Sequence, residues 1–260
     1  MNIVIKNTSK SDIFALIFQH IKLFTEHIII MFEKDRVYFQ SMDSARVSIF
    51  ELYIPSSWFD VYVHTKDGGI PIGVNANLLY KILNTREKTQ ETHITYNDND
   101  EDKLFIQFVS ENSSVFDKRF ELPLVDLDME TMDIPTMDSN AEFSIDSVNF
   151  ANIVNQLKLF GDTMDIECSE KKIELKSVSE GAGKMAVDIQ FDELSEYSIN
   201  EGETVNLSFS LNMLHNICLY YKVSKEVHVH LTKDFPMKII YYLGDEHTKL
   251  VFYLAPKIGD

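Results

Sequence analysis

The chain has 260 residues, 45% of them hydrophobic and 25% charged, which suits two domains of ordinary size, each with its own core, and excludes a disordered polymer. With 41 acidic against 24 basic residues the net charge is −17, so the molecule as a whole repels polyanions. No apolar run reaches the roughly 18 residues of a spanning helix, and residues 1–10 lack the hydrophobic stretch of a secretory signal, so a soluble intracellular protein with no membrane attachment is expected.

In chain order, residues 11–24 (SDIFALIFQHIKLF) set Ile13, Phe14, Ile17, Phe18, Ile21 and Phe24 on one stripe at helical spacing. Residues 37–40 and 47–52 alternate as antiparallel strands do. Residues 75–86 predict a short helix opened by Asn75, whose side chain can accept from an unpaired amide of the first turn. Runs at 93–96 and 103–109 are again strand-like, and a further strand ends near Leu122. Residues 123–140 (PLVDLDMETMDIPTMDSN) then read as an extended connector, because Pro123 and Pro135 withdraw amide donors and acids are dense. Leu124, Leu127, Met129, Met132 and Ile134 are too many apolar residues for a purely solvated link, so some should pack down and others face a partner.

After the connector the pattern repeats. A strand at 142–145 leads to a helix at 147–160 (SVNFANIVNQLKLF), and this segment matches residues 11–24 at 7 of 14 positions with an offset of 136. A second echo pairs Asn77–Ile82 with Asn212–Ile217 at an offset of 135, inside a helix expected at 210–222 and opened by Ser210. Strands at 204–208, 227–231 and 238–243 complete this half. The period far exceeds the roughly 20–50 residues of solenoid repeats, so it marks two copies of a whole domain. The expected organisation is a domain at 1–122, the connector at 123–140 and a second domain at 141–260. The fold class is α+β: two similar domains, each with two helices packed on antiparallel sheets.

Charge is distributed unevenly. The four helical stretches cover 53 residues and hold one acid, Asp12, where composition alone gives roughly 8. They also hold the bases Lys22, Lys81, Arg86, Lys158 and Lys222, among neutral polar residues such as Gln19, Asn77, Asn155, Gln156 and His215. Because exposed charges beyond about 10 Å are largely screened, helices cleared of carboxylates can meet phosphate on an acidic molecule. A packed or simply neutral face gives the same composition, and both readings stand at this point.

Candidate chemistry elsewhere is thin. Asp98, Asp100 and Asp102 have calcium-loop spacing, but Lys103 and Val109 occupy the positions that need Gly and Glu, so a hairpin tip is expected. Residues 179–185 resemble a phosphate loop, but Val178 stands at its first glycine and Met185 at its hydroxyl, so a turn is expected. His228 and His230 share one face of a strand without a visible third ligand, and Asp126, Asp128 and Glu130 sit on the connector. Cys168 and Cys218, far apart and outside any CxxC spacing, read as reduced packed thiols. No nucleophile, base and orienting group stand in a catalytic pattern, so neither enzyme activity, cofactor nor metal is expected.

Residues 37–54 (VYFQSMDSARVSIFELYI) and the run Tyr253-Leu254-Ala255-Pro256-Lys257-Ile258 resemble the proliferating cell nuclear antigen family of DNA sliding clamps. Residues 72–75 leading into 79–83, connector residues 124–135, Phe150-Ala151 and Phe160-Gly161-Asp162 agree in the same order along essentially the full chain. The resemblance implies the DNA clamp fold, ring-forming: a homotrimer closed head to tail, with helices lining a hole that encircles double-stranded DNA without sequence preference. It further implies a processivity factor and docking platform in DNA replication and repair, serving DNA polymerase, a clamp loader and other proteins with clamp-binding peptides. The expected location is the nucleus, or a viral replication site for a virus-encoded member.

Carried onto this chain, the resemblance makes Lys22, Lys81, Lys158 and Lys222 the DNA-facing residues. The partner-peptide pocket would use Met42, Ser44, Arg46, Val47, Leu127, Met132, Ile134, Pro236, Tyr253, Ala255 and Pro256. The subunit interface would join an edge bearing Ser114, Phe116, Lys118 and Phe120 to one bearing Lys184, Val187 and Ile189. Departures are specific: Ala15, Leu16, Asn84, Asn152, Asn155 and Leu219 stand at helix positions that are basic in the family. Glu170, beside Lys171, stands where the family has a ubiquitin-accepting lysine. Two other classes are a checkpoint-type subunit of a heterotrimeric ring and a magnesium nuclease using the connector acids.

Overall fold

The computed structural model describes residues 1–97, 99–111, 114–128 and 132–257, so Asp98, Met129, Glu130 and Ile258 of the sequence reading lie outside the described residues. The chain divides into two compact units. Unit 1 comprises Met1–Ser44, Glu51–Met132 and Asp245–Lys249; unit 2 comprises Ala45–Phe50, Asp133–Gly244 and Leu250–Asp260.

In unit 1 the elements are β1 (Asn2–Ile5), α1 (Thr8–Ile21), β2 (His27–Phe32), β3 (Arg36–Met42), β4 (Ser48–Pro55, in this unit from Glu51 onward), β5 (Val61–Val63), β6 (Ile70–Asn75), α2 (Ala76–Leu83), β7 (Glu91–Thr95), β8 (Lys103–Val109) and β9 (Lys118–Pro123). The strands lie in the orders β5-β1-β7-β8-β9 and β4-β3-β2-β6, antiparallel wherever the register is defined, with Asn2 opposite Thr95 and His27 opposite Asn75. Alternation gives strands such as β2 and β7 one buried side; in β2, Ile28, Ile30 and Phe32 point into the core. The helices α1 and α2 pack on one another, and α1 buries Phe14, Ile17, Phe18 and Ile21, with the Phe18 ring 6.2 Å from that of Phe39.

Unit 2 repeats this plan with β10 (Ala141–Asp146), α3 (Ser147–Leu157), β11 (Thr163–Cys168), β12 (Ile173–Ser179), β13 (Gly183–Ile189), β14 (Glu196–Ile199), β15 (Val205–Ser210), α4 (Leu211–Cys218), β16 (Glu226–Leu231), β17 (Met237–Tyr242) and β18 (Lys249–Leu254). Its strand orders, β14-β10-β16-β17-β18 and β13-β12-β11-β15, match those of unit 1 strand for strand. The duplication therefore extends from a few helical residues to the whole topology.

The predicted helices shift at their ends for a physical reason. Helix α1 starts at Thr8, because Asn7 accepts from the Lys10 amide, and stops at Ile21 rather than Phe24. Residues 22–24 form a closing turn in which Phe24 N donates to Ile21 O at 2.8 Å, and Phe24 still reaches the core at 2% exposure. Helical periodicity thus continues past the helix. Helix α3 ends three residues before the predicted 160 through an equivalent turn, Phe160 N to Leu157 O at 2.9 Å. Asn75 and Ser210 cap α2 and α4 through Leu78 N and Met213 N, and the rest of the predicted 210–222 helix is a 3-10 turn, Leu219–Lys222. Among the described residues, no helix is long and apolar enough to cross a membrane.

Candidate functional site

The helices of each unit bury their apolar stripes and leave Lys22 and Lys81 in unit 1, and Lys158 and Lys222 in unit 2, on or near the surface. Lys22 Nζ lies 5.6 Å from the centre of the Tyr80 ring, and Lys222 Nζ lies 5.6 Å from that of Tyr221, so both cations rest over aromatic faces. Arg86 behaves differently: its guanidinium is bonded to Asp12 and to the carbonyls of Glu87, Lys88 and Gln90, which removes it from the set of cations available to a ligand. The one acid of the helical stretches is therefore neutralised within unit 1. In unit 2, α3 and α4 flank a cleft of 150 Å³ lined by Val148, Ala151, Asn155, His215, Leu219 and Tyr221, among others. His215 Nδ1 donates to Asn155 Oδ1 at 2.6 Å, and burial, aided by the Lys158 charge, lowers its pKa, favouring the neutral ring.

The connector runs onto unit 1. Val125 N donates to Gly73 O at 2.9 Å, and an added Cβ at Gly73 would stand 2.1 Å from Val125 O, so only glycine admits this approach. Leu127 and Met132 are half-buried, and Met42 and Ser44 close β3, with Ser44 N donating to Phe24 O at 3.0 Å. Met132 is held at both backbone groups: its N–H donates to Gln40 Oε1 at 2.6 Å, and its carbonyl accepts from Gln40 Nε2 at 2.9 Å. Gln40 Nε2 also donates to Glu51 Oε1 (3.1 Å), which accepts in addition from Tyr38 Oη (2.8 Å) and Tyr53 Oη (3.0 Å). Burial, reinforced by Glu51, raises the pKa of both phenols, which keeps them as donors.

The remaining pocket residues belong to unit 2. Ala255 N donates to Val47 O at 2.9 Å, which brings those two together; Tyr253 and Pro256 are half-buried, Ile134 is half-buried, and Pro236 is exposed in the turn before β17. Arg46 is exposed and holds φ at 59°, a left-handed conformation uncommon outside glycine. Beyond Pro256, Lys257 N donates to Ser208 O at 2.7 Å and Lys257 Nζ to Thr163 Oγ1 at 2.6 Å.

Within their units, β9 pairs with β8 and β13 with β12, and both strands end their sheets among the described residues. Phe116, just before β9, is 84% exposed, whereas Ile189 at the end of β13 is 3% exposed and already part of unit 2's core. Phe120 and Val187 are half-buried, Lys184 and Ser114 exposed. Lys118 is committed within unit 1, to Thr85 O (2.6 Å) and Glu87 Oε1 (3.1 Å).

Other candidates resolve into local structure. Cys168 and Cys218 are buried free thiols whose pKa values burial pushes up to about 12. His230 Nδ1 lies 3.3 Å from Glu142 Oε1, a neighbour 88 positions away that sequence spacing could not reveal, and His228 Nδ1 lies 2.6 Å from Ser144 Oγ. Among the described residues, no group of three or more His, Cys, Asp or Glu side chains is placed to hold a metal ion. Asp126 and Asp128 are exposed on the connector, Asp100 and Asp102 at a hairpin tip, and Lys171 in the turn after β11. Gly73, Gln40 and Glu51 had no role assigned from sequence: a close backbone approach and a shared carboxylate oxygen are visible only in three dimensions.

Comparison with known proteins covers nearly the whole chain. Residues 4–131 match the family model described as proliferating cell nuclear antigen, N-terminal domain, and residues 133–257 match its C-terminal counterpart. The proliferating cell nuclear antigen of Chaetomium thermophilum is 29% identical over 226 residues, covering 85% of this chain and 85% of that protein.

Proposed function

The chain belongs to the proliferating cell nuclear antigen family, and on that premise we propose that it is a homotrimeric sliding clamp that encircles duplex DNA and keeps polymerase and other replication and repair proteins on it. The observation that carries this reading is that the helix pairs of both units are cleared of free carboxylate, Asp12 being tied to Arg86, on a molecule with 41 acids. Lys22, Lys81, Lys158 and Lys222 then face the phosphates. Contacts to backbone alone give weak, sequence-independent affinity that falls with salt, which suits a protein that must slide. The clamp is read as a scaffold without catalysis, working in the nucleus.

Trimer closure is supported by two sheet-ending strands of different sequence in one chain, β9 and β13. Such edges make a heterologous contact that closes into a ring when the rotation permits. Light scattering should give a mass near three times 30.1 kDa. A monomer at micromolar concentration would point instead to a checkpoint-type subunit that needs other chains. Proline at Val187, in β13, should weaken assembly by removing a ladder donor.

For DNA, changing Lys22 and Lys158 together to Glu should abolish duplex binding at low salt and impair polymerase stimulation while the trimer persists. Binding equal to the parent's across the salt series would overturn the assignment of the helix faces. For partners, short peptides with a glutamine, an aliphatic residue and paired aromatics are expected to engage the apolar residues that the resemblance assigns, among them Met42, Val47, Leu127, Met132, Ile134, Pro236 and Tyr253. Ile134→Ala or Tyr253→Ala should cost about 1–3 kcal/mol in binding measured by calorimetry.

A further inference from the structure

We infer that Gln40 is a positioning residue that latches the connector to unit 1, with Glu51 fixing which way its amide points. The inference rests on the peptide-docking reading above and adds how the connector is kept ready to receive its partner. A primary amide opposite a backbone N–H and C=O of one residue can make both bonds in only one orientation; turned over, it sets oxygen against oxygen and nitrogen against nitrogen. Here that choice has a decider. Glu51 Oε1 already accepts from Tyr38 Oη and Tyr53 Oη, so it takes a further hydrogen from Gln40 Nε2 and has none to give a reversed Gln40 Oε1.

Glu51 is itself immobilised. It is 5% exposed, and the same oxygen takes the phenol hydrogens of Tyr38 and Tyr53, so three donors converge on one acceptor. Two cations stand one layer out: the Arg36 guanidinium is 5.3 Å from the centre of the Tyr38 ring, and Lys249 Nζ is 5.5 Å from that of Tyr53. The chain of dependence thus runs from the ring-braced phenols to the carboxylate, from the carboxylate to the amide, and from the amide to the Met132 backbone. Its effect is to give Met132, which lies outside any strand, a side chain acting as a two-point backbone mimic. Met132, an apolar candidate for partner contact, is then presented at a fixed depth.

The test uses the full-length chain and three proteins: the parent, Gln40→Ala and Glu51→Gln. Amide hydrogen exchange is followed at Met132 and across β2, β3 and β6, together with calorimetric binding of a synthetic peptide bearing a glutamine, an aliphatic residue and paired aromatics. Gln40→Ala should speed exchange at Met132 by about 3- to 10-fold, the worth of one net hydrogen bond, and weaken the peptide by a similar factor. Glu51→Gln should speed it by about 2- to 5-fold, because a neutral amide can donate to the reversed Gln40. Exchange in β2 and β6 should stay unchanged in both. Unchanged exchange at Met132 in Gln40→Ala overturns the latch, as does a uniform rise over the whole unit, which would mean lost stability and no local role. If the parent fails to bind the peptide while Met132 exchange still responds, the latch stands and the docking reading falls.

Discussion

The sheet β4-β3-β2-β6 of unit 1 and its copy β13-β12-β11-β15 in unit 2 share a strand order but present different chemistry on their outer faces. At the 136-residue spacing that aligns the buried Val37 with Ile173, Tyr38 and Gln40 correspond to Glu174 and Lys176. Unit 1 carries phenols and an amide around a buried carboxylate; unit 2 carries Lys172 bridged to Glu174 at 3.2 Å and to Asp188 at 2.6 Å. Both faces carry one ion-paired cation at equivalent positions, Arg36 with Glu33 and Lys172 with Glu174 and Asp188, but only in unit 1 do neutral donors gather on a buried carboxylate beside it. Even the chain that leaves each unit follows this division: Val125 meets Gly73 on β6 and Lys257 meets Ser208 on β15, but only the first approach forbids a side chain. The two sheets thus share a strand order and differ in the side chains laid on it.

The comparison breaks most severely at Gly73. Gly73→Ala should destabilise unit 1 by roughly 2–3 kcal/mol or expel Val125 from β6, because the new methyl meets a backbone oxygen that cannot swing aside. Proteolysis of the connector should accelerate with it. Ser208→Ala, the matching change in unit 2, should cost about 1 kcal/mol, the worth of the Ser208 to Asp165 hydrogen bond. Equal denaturation midpoints for the two variants would erase the distinction.

Next in size is Glu51→Ala, expected to cost about 1–2 kcal/mol because the Tyr38 and Tyr53 hydroxyls lose their acceptor in a half-buried setting. Lys172→Ala should cost less than Glu51→Ala, and its effect should fade in high salt, since exposed ion pairs are screened. Loss of the Lys172 effect in salt while the Glu51 effect persists would sharpen the contrast between the faces.

The mildest difference is titration. Burial lowers the pKa of His215 and His230, both in unit 2, against which Glu142 pulls His230 upward. Groups held neutral in the fold stabilise it above their unfolded pKa of about 6.5 and lose that contribution as pH falls, because the unfolded chain takes up the proton first. From pH 7 to 5, unit 2 should therefore weaken more than unit 1. Trp58, the only tryptophan and buried in unit 1, gives a separate fluorescence transition to set against whole-chain circular dichroism. Equal shifts of the two would remove the asymmetry.

How much of this was legible in the sequence depends on range. The duplication and the four helices follow from local periodicity and from the repeated Lys-Leu-Phe ends. The helix ends did not, since Phe24 satisfies the stripe from a turn. The run HIIIMF of β2 has no alternation to read, although its strand buries every second residue. Arg86 looked like one more surface cation until Asp12, 74 positions away, claimed it. Met132, Gln40 and Glu51 are ordinary strand or connector residues in isolation, and only their convergence gives them a role.

Three of the four helices begin on the residue directly after a strand: Asn75, Asp146 and Ser210 end β6, β10 and β15 and cap α2, α3 and α4. With no linker residue, each helix inherits its rotation from the strand before it. One residue inserted at such a junction would turn the helix by about 100° about its axis, enough to carry a lysine from the outer surface to the flank and to bring apolar side chains out in its place. An insertion in a turn such as that at Glu201 and Gly202 would leave the helices as they are, and the angular setting of the lysines is written into the spacing of the backbone as much as into the choice of side chain.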